Sequence, residues 1–172
     1  LIAVTGVRFA ECLGLTWDSV DYENKVLVVD KTWNYKTNLD FSSTKTKSSI
    51  RKIPLDDETL TLLKSYQKEH WNHNKENRIF SNISNNAVNK TLRRIVGRNV
   101  HAHSLRHTYA SFLISKHIEL LSISKILGHE NMNITIEVYA HQLKELEEAS
   151  NSEVREIFGN LGANLGRNTS NT

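Results

Sequence analysis

His103-Ser104-Leu105-Arg106-His107, set within the longer stretch HAHSLRHTYAS at 101–111, places two imidazoles and a guanidinium within five residues. The segment that follows is apolar-periodic, and its spacing predicts a helix to about Lys116. Residues three and four apart share a helix face. His103, Arg106 and His107 are therefore expected to point the same way, beside an apolar stripe of Leu105, Tyr109 and Phe112. A cationic cluster on a buried helix can grip an anion such as phosphate. Taken alone, the same residues read equally well as a basic helix start with packed histidines. The flanking sequence has to decide.

Downstream, Glu119–Leu127 predicts a second helix, with Gly128 in a C-cap position ahead of His129-Glu130-Asn131. Another helix starts near Asn131 or Asn133 and carries Met132, Ile136 and Tyr139. A last helix, about Leu143 to Phe158, is acidic and amphipathic, and residues 159–172, rich in Gly, Asn, Ser and Thr, are expected to be a disordered tail. Upstream, Ser84 or Asn85 can cap a helix with an apolar stripe of Val88, Leu92 and Ile95, ended by Gly97 or Asn99. Lys90, Arg93, Arg94 and Arg98 lie off that stripe, which marks this helix as a phosphate-contacting element. Ile79-Phe80 reads as a short apolar plug, and Trp71–Asn77 as a polar loop. Asp56-Asp57-Glu58 places acids at a helix N-terminus, where they suit the macrodipole, and Leu60, Leu63 and Tyr66 carry that helix to about His70.

The first third mixes both periods. Phe9, Cys12, Leu13 and Trp17 fall at helical spacing, so a short helix follows Gly6. Asp18–Asn24 is a polar turn. Lys25–Lys31 reads as a strand, Thr32–Lys36 as a second and Ile50–Leu55 as a third, the last containing the chain's single proline, Pro54. Between them, Thr37–Ser49 is a loop or hairpin tip carrying Lys45 and Lys47. The whole predicts a mainly helical α+β domain with a small antiparallel sheet, residues 1–158, read as part of a longer protein.

Composition narrows the function. The single cysteine, Cys12, excludes an internal disulfide framework and suits a reducing, cytoplasmic setting. No stretch has the length and apolarity of a bilayer span or a signal peptide. The net charge is only +3, yet residues 78–125 hold eight Lys or Arg against one acid, Glu119. Residues 137–156 hold six acids against two bases, Lys144 and Arg155. A basic body with an acidic helical end points to a polyanion, above all nucleic acid.

Several pieces then read as parts of one site: Arg8, a loop lysine, the His103/Arg106 pair, His129 and Tyr139. Two arginines can grip the non-bridging oxygens of a phosphodiester as their charge grows. A phenol can act as a covalent nucleophile, and a lysine can supply the proton of the leaving oxygen. Arg8 and Glu11 are three apart; if Arg8 faces inward, Glu11 holds its guanidinium in orientation. No carboxylate cluster suggests magnesium, so neither metal nor other cofactor is expected.

TGVRFAECLGLTW around Arg8, TKTKSSIRKIPL around Lys45, HAHSLRHTYAS around Arg106 and LGHENMNITIEVYAH around His129 and Tyr139 together resemble the catalytic domain of the tyrosine recombinases, the phage-integrase family. The order and spacing of the four motifs match, most closely to integrases of phages and integrative mobile elements. The resemblance implies that Arg8 is the first catalytic arginine and that Lys45 is the general acid, with Lys47 as the alternative. It makes His103 and Arg106 the pair of an H-x-x-R motif, His129 the last activating histidine and Tyr139 the nucleophile. His107 takes a structural place. It further implies double-stranded DNA as substrate and a tetramer assembled on DNA through the segment after Tyr139. Accessory DNA-bending proteins and N-terminal DNA-binding domains outside this chain are implied as well.

Two rival readings use the same residues. His101, His103 and His107 form an HxHxxxH pattern able to ligate zinc, although no Asp or Glu joins them locally. Ser122–His141, helix, Gly128, helix, is a passable helix-turn-helix, which would make the chain a non-catalytic DNA-binding module. The second leaves Arg8 and the Lys45 loop unexplained.

Overall fold

The computed structural model describes residues 1–44, 47–70 and 75–168. Leu1–Thr135 form one compact unit, and a second begins at Ile136. Lys45 lies outside the described residues.

Alternation sets the strands. In β2 (Val26–Val29), Leu27 and Val29 turn inward, and in β5 (Arg51–Pro54) Arg51 and Ile53 do. The two pair antiparallel, with Leu27 opposite Ile53 and Val29 opposite Arg51. β1 (Val20–Asp21) completes this sheet in the order β1-β2-β5. The β1–β2 turn is held by Asp21, whose carboxylate accepts from the backbone N–H groups of Glu23 and Asn24 at 3.1 and 2.8 Å. The expected polar turn at Asp18–Asn24 is thus a hairpin with a strand on its near side.

The anticipated single sheet is two. The run Lys25–Lys31 breaks at Asp30: β3 (Lys31–Trp33) leaves β2's partners and pairs with β4 (Phe41–Ser43). A three-residue strand has too few side chains to show a period, so β4 is not visible in the sequence as anything but loop.

Helices fall close to their expected places. α1 (Ile2–Thr5) and α2 (Phe9–Gly14) flank Arg8. α3 (Asp57–His70) is capped by Asp56, whose carboxylate accepts from the Thr59 N–H at 2.8 Å and hydroxyl at 2.7 Å. α4 (Asn85–Val96) is capped by Ser84 Oγ, which accepts from the Ala87 N–H at 3.2 Å, and stops at Gly97. Its predicted stripe is shorter than expected. Val88 and Leu92 pack on the core, but Ile95 is 73% exposed.

α5 (Ala102–Ser115) buries Ala102, Arg106, Ala110 and Ile114, a row of fourfold spacing. The expected stripe is therefore displaced: Phe112 is exposed, and Arg106 occupies the buried row while His103 and His107 face outward. α6 spans Leu120–Leu127. α7 (Met132–Asn168) holds the two expected helices end to end, and they meet at a kink where the backbone leaves helical geometry at Tyr139 (φ −115°, ψ 18°).

One core joins the first unit. Val7, Leu15, Leu27, Val29 and Ile53 are at most 1% exposed and pack with Trp17, Leu60, Leu63, Ile79 and Ala102. Each such aliphatic contributes about 1.5–3 kcal/mol by leaving water. Ile79 is the foreseen plug, stitched in where Thr16 bridges to Arg78.

Candidate functional site

Arg51 is the anomaly in that core: a charged residue on the inward face of β5, its side chain 5% exposed. Glu11, on the first turn of α2 and 1% exposed, answers it. Arg51 donates from Nη1 to Glu11 Oε1 at 3.2 Å and from Nη2 to Oε2 at 2.8 Å. Arg8 donates to the same carboxylate, from Nη1 to Oε1 at 2.8 Å and from its backbone N–H to Oε2 at 2.8 Å. Each carboxylate oxygen thus accepts once from each arginine. Burial alone would raise the Glu11 pKa. The hydrogen bonds and charge of Arg51, with those of Arg8, outweigh it and hold the carboxyl below its usual range. The expected orienting role of Glu11 toward Arg8 is present in this geometry.

Two helix ends complete the arrangement. The last carbonyls of a helix lack partners within it, and α1 and α6 both end on a left-handed glycine, Gly6 (φ 64°) and Gly128 (φ 65°). Arginines from other elements take their carbonyls. Arg106, 4% exposed, donates from Nη1 to Gly6 O at 2.6 Å and from Nη2 to Leu127 O at 2.7 Å. Arg8 donates from Nη2 to Gly128 O at 3.2 Å. Arg51 adds Nε to Ile126 O at 2.6 Å. Three guanidiniums, separated by up to about a hundred residues, converge on the turn that precedes His129. At Gly128 a Cβ would also lie 2.9 Å from Arg51 Nη1, so both the backbone and the space require glycine there.

His129 leaves that turn with Nδ1 2.8 Å from the hydroxyl of Thr135, which is fully buried. Burial, then repulsion from Arg106, Arg8, Arg51 and His107, pushes its pKa from the usual 6.5 down to about 4. At neutral pH it is an uncharged imidazole beside three guanidiniums. His103 stands on the outer side of α5, its ring edge-on to His107 with centroids 4.6 Å apart. Its pKa is lowered by burial and then by His107, Arg106 and Arg8. Arg8, whose side chain is 41% exposed, and His103 line one cleft of about 340 Å³. Arg51 and His129 line another of about 500 Å³. A larger cleft, about 610 Å³ between Trp33, Arg78 and Asn85, holds none of the predicted site residues.

Lys90, Arg93, Arg94 and Arg98 are exposed on and just after α4, where Arg93 Nε caps back to Asn89 O at 3.1 Å. Lys47 opens the short 3₁₀ turn Lys47–Ser49. Tyr139 belongs to the second unit. Among the described residues no group of three or more His, Cys, Asp or Glu is placed to hold a metal ion.

Sequence reasoning misses Arg51 and Thr135. Arg51 carries a signal: an arginine in phase with Ile53 on a half-buried strand needs a buried carboxylate, and the first turn of α2 supplies one. Thr135 carries none.

The chain's first 145 residues match the model of the Phage integrase family. The chain belongs to that family. It is 28% identical over 188 residues to a XerC-like tyrosine recombinase of Caldanaerobacter subterraneus subsp. tengcongensis, covering 90% of this chain and 47% of that protein. It is 31% identical over 166 residues to the integrase of Staphylococcus phage L54a, covering 84% and 47%. The chain thus spans about half the length of these curated relatives. In fold it is similar to the Tn1549 transposon integrase solved with transposon right end DNA. The TM-score is 0.71 and the identity 23%, over 87% of this chain and 56% of that one. A post-cleavage complex of the XerH recombinase with difH DNA gives a TM-score of 0.64 at 23% identity, over 87% and 42%.

Proposed function

We propose that this member of the phage integrase family is the catalytic domain of a site-specific DNA recombinase, which cuts and rejoins strands through a 3′-phosphotyrosine to integrate or excise a mobile element. The observation that carries the reading is the convergence of Arg8, Arg106 and His129 on the Leu127–Gly128 turn. Three motifs far apart in sequence meet at one cationic place.

The Tyr139 hydroxyl attacks the scissile phosphorus and gives its proton to solvent, while the P–O5′ bond breaks. Lys45 protonates the departing 5′ oxygen, with Lys47 the alternative donor. Arg8 and Arg106 hold the non-bridging oxygens, whose negative charge grows at the transition state. His129, uncharged, and His103 complete the phosphate's hydrogen bonding. A 5′ hydroxyl of the partner duplex then attacks the phosphotyrosine and gives its proton to the lysine left neutral by the first step, the P–Oη bond breaks, and the tyrosine oxygen takes a proton back from solvent. The ester bond is exchanged rather than hydrolysed, so its energy is kept in the phosphotyrosine and rejoining needs no other energy source.

Lys90, Arg93, Arg94 and Arg98 track the DNA backbone. The working form is a tetramer on two duplexes, joined through the acidic segment after Tyr139 and helped by accessory DNA-bending proteins. It acts in the cytoplasm. No helix among the described residues is long and apolar enough to cross a membrane.

The test is a nicked half-site incubated with this chain in EDTA, from which the short 5′ fragment diffuses so that covalent complex accumulates. An SDS-stable band from the parent chain and none from Tyr139→Phe is the expected result. DNA binding with no band from either would favour the non-catalytic module.

A further inference from the structure

Arg51 has no part in the reaction just described, yet both side-chain partners of Arg8 rest on it. One is Glu11, held by two Arg51 hydrogen bonds. The other is the Gly128 carbonyl, on a turn that lies directly against the Arg51 guanidinium and cannot accept a Cβ because of it. The same side chain donates to Ser49 O at 2.9 Å and Ile126 O at 2.6 Å, tying β5 to the end of α6. Its place opposite Val29 would suit an aliphatic residue. An ion pair buried there adds little stability over an apolar filling, and what it supplies instead is fixed geometry.

We infer that Arg51 is a positioning residue for strand cleavage: through Glu11 and the Gly128 turn it aims the Arg8 guanidinium at the scissile phosphate. The inference rests on the functional reading above. Arg8 itself emerges to solvent, so without a stop behind Glu11 its head would sweep through several rotamers. Saturating both Glu11 oxygens removes that freedom before DNA arrives. Lysine cannot replace arginine here. An ammonium is a point donor, unable to reach both carboxylate oxygens and the Ile126 carbonyl at once.

The test measures the single-turnover rate of covalent complex formation on the nicked half-site. The parent chain is compared with Arg51→Lys, Glu11→Gln and the double variant. Each is tried on an ordinary phosphodiester and on a methylphosphonate, in which a methyl group removes the scissile negative charge. Arg51→Lys should slow cleavage of the phosphodiester about tenfold to a hundredfold, the range a small misplacement of a catalytic group produces. DNA affinity should stay within about twofold, since Arg51 reaches no phosphate. The loss should shrink on the methylphosphonate, which needs no charge-matched arginine. The double variant should be no slower than the slower single variant, as expected of residues acting in series. Equal losses on both substrates would mean a merely structural residue and overturn the inference. So would parent-like cleavage by Arg51→Lys. Absence of covalent complex from the parent chain is a different failure, of the functional reading itself, and the inference falls with it.

Discussion

Arg106 and Arg94 are the same residue on consecutive helices, and they do opposite work. Arg106 is 4% exposed on α5, and its guanidinium is oriented by the two backbone carbonyls it donates to. Arg94 lies exposed on α4, a helix with no buried residue at all. A buried guanidinium has its direction fixed by the groups that satisfy it, so it can define a geometry. An exposed one keeps its rotamers and contributes charge. The cations of this chain divide by what holds them: the buried Arg51 and Arg106, with the part-exposed Arg8 fixed by Glu11 and the Gly128 carbonyl, build a place, whereas Lys90, Arg93, Arg94 and Arg98 build a field.

The sharpest way to break this division is stability. Arg106→Ala strands the Gly6 and Leu127 carbonyls in the interior. Each unsatisfied acceptor costs about 1–3 kcal/mol, so urea unfolding should show a loss of about 2–5 kcal/mol. Arg94→Ala should stay within about 0.5 kcal/mol of the parent. Comparable losses would erase the distinction.

A smaller effect separates the buried site from the field by pH. The folded pKa of His129 is about 4, below its unfolded value near 6.5. Below pH 6.5 the unfolded chain takes up a proton that the folded chain resists. The stability linked to His129 is therefore complete above pH 6.5 and is lost as pH falls toward 4. Urea melts at pH 7 and pH 4.5 should show a larger drop for the parent than for His129→Gln. An equal drop would mean that neither burial nor the neighbouring arginines hold His129 uncharged in the folded chain.

What is legible in the sequence, and what is not, follows from range. Helices of eight residues or more carry their own period and caps: α3 from Asp56, α4 from Ser84 to Gly97 and α6 up to Gly128 are readable in place. The two- and three-residue strands β1 and β4 are not, because only their distant partners define them. The four motifs mark the site residues in the sequence, and the first unit brings Arg8, Arg106 and His129 to one turn. The brace behind them is half legible: the phase of Arg51 with Ile53 calls for a buried carboxylate, but nothing local says that Glu11, forty residues away, is the one. Arg106 is buried while its expected companions His103 and His107 are exposed, because its guanidinium is held by the carbonyls of two helix ends that no local pattern reveals. Ile95 breaks the stripe on α4 by extending past the core it is expected to cover.

The mildest prediction concerns the field itself. Replacing Lys90, Arg93, Arg94 and Arg98 together by alanine should lower the slope of log affinity against log salt by up to about 4, near one for each phosphate left unneutralised. The melting midpoint should barely move. An unchanged slope would take α4 off the DNA.

The central claim is that Tyr139 takes the phosphate that Arg8 and Arg106 hold. It is tested most directly by isolating the SDS-stable complex, digesting both protein and DNA, and finding by mass spectrometry the residue that keeps a nucleotide. The account predicts a 3′-linked nucleotide on the peptide bearing Tyr139. A nucleotide on any other residue, or one joined through its 5′ end, would contradict it.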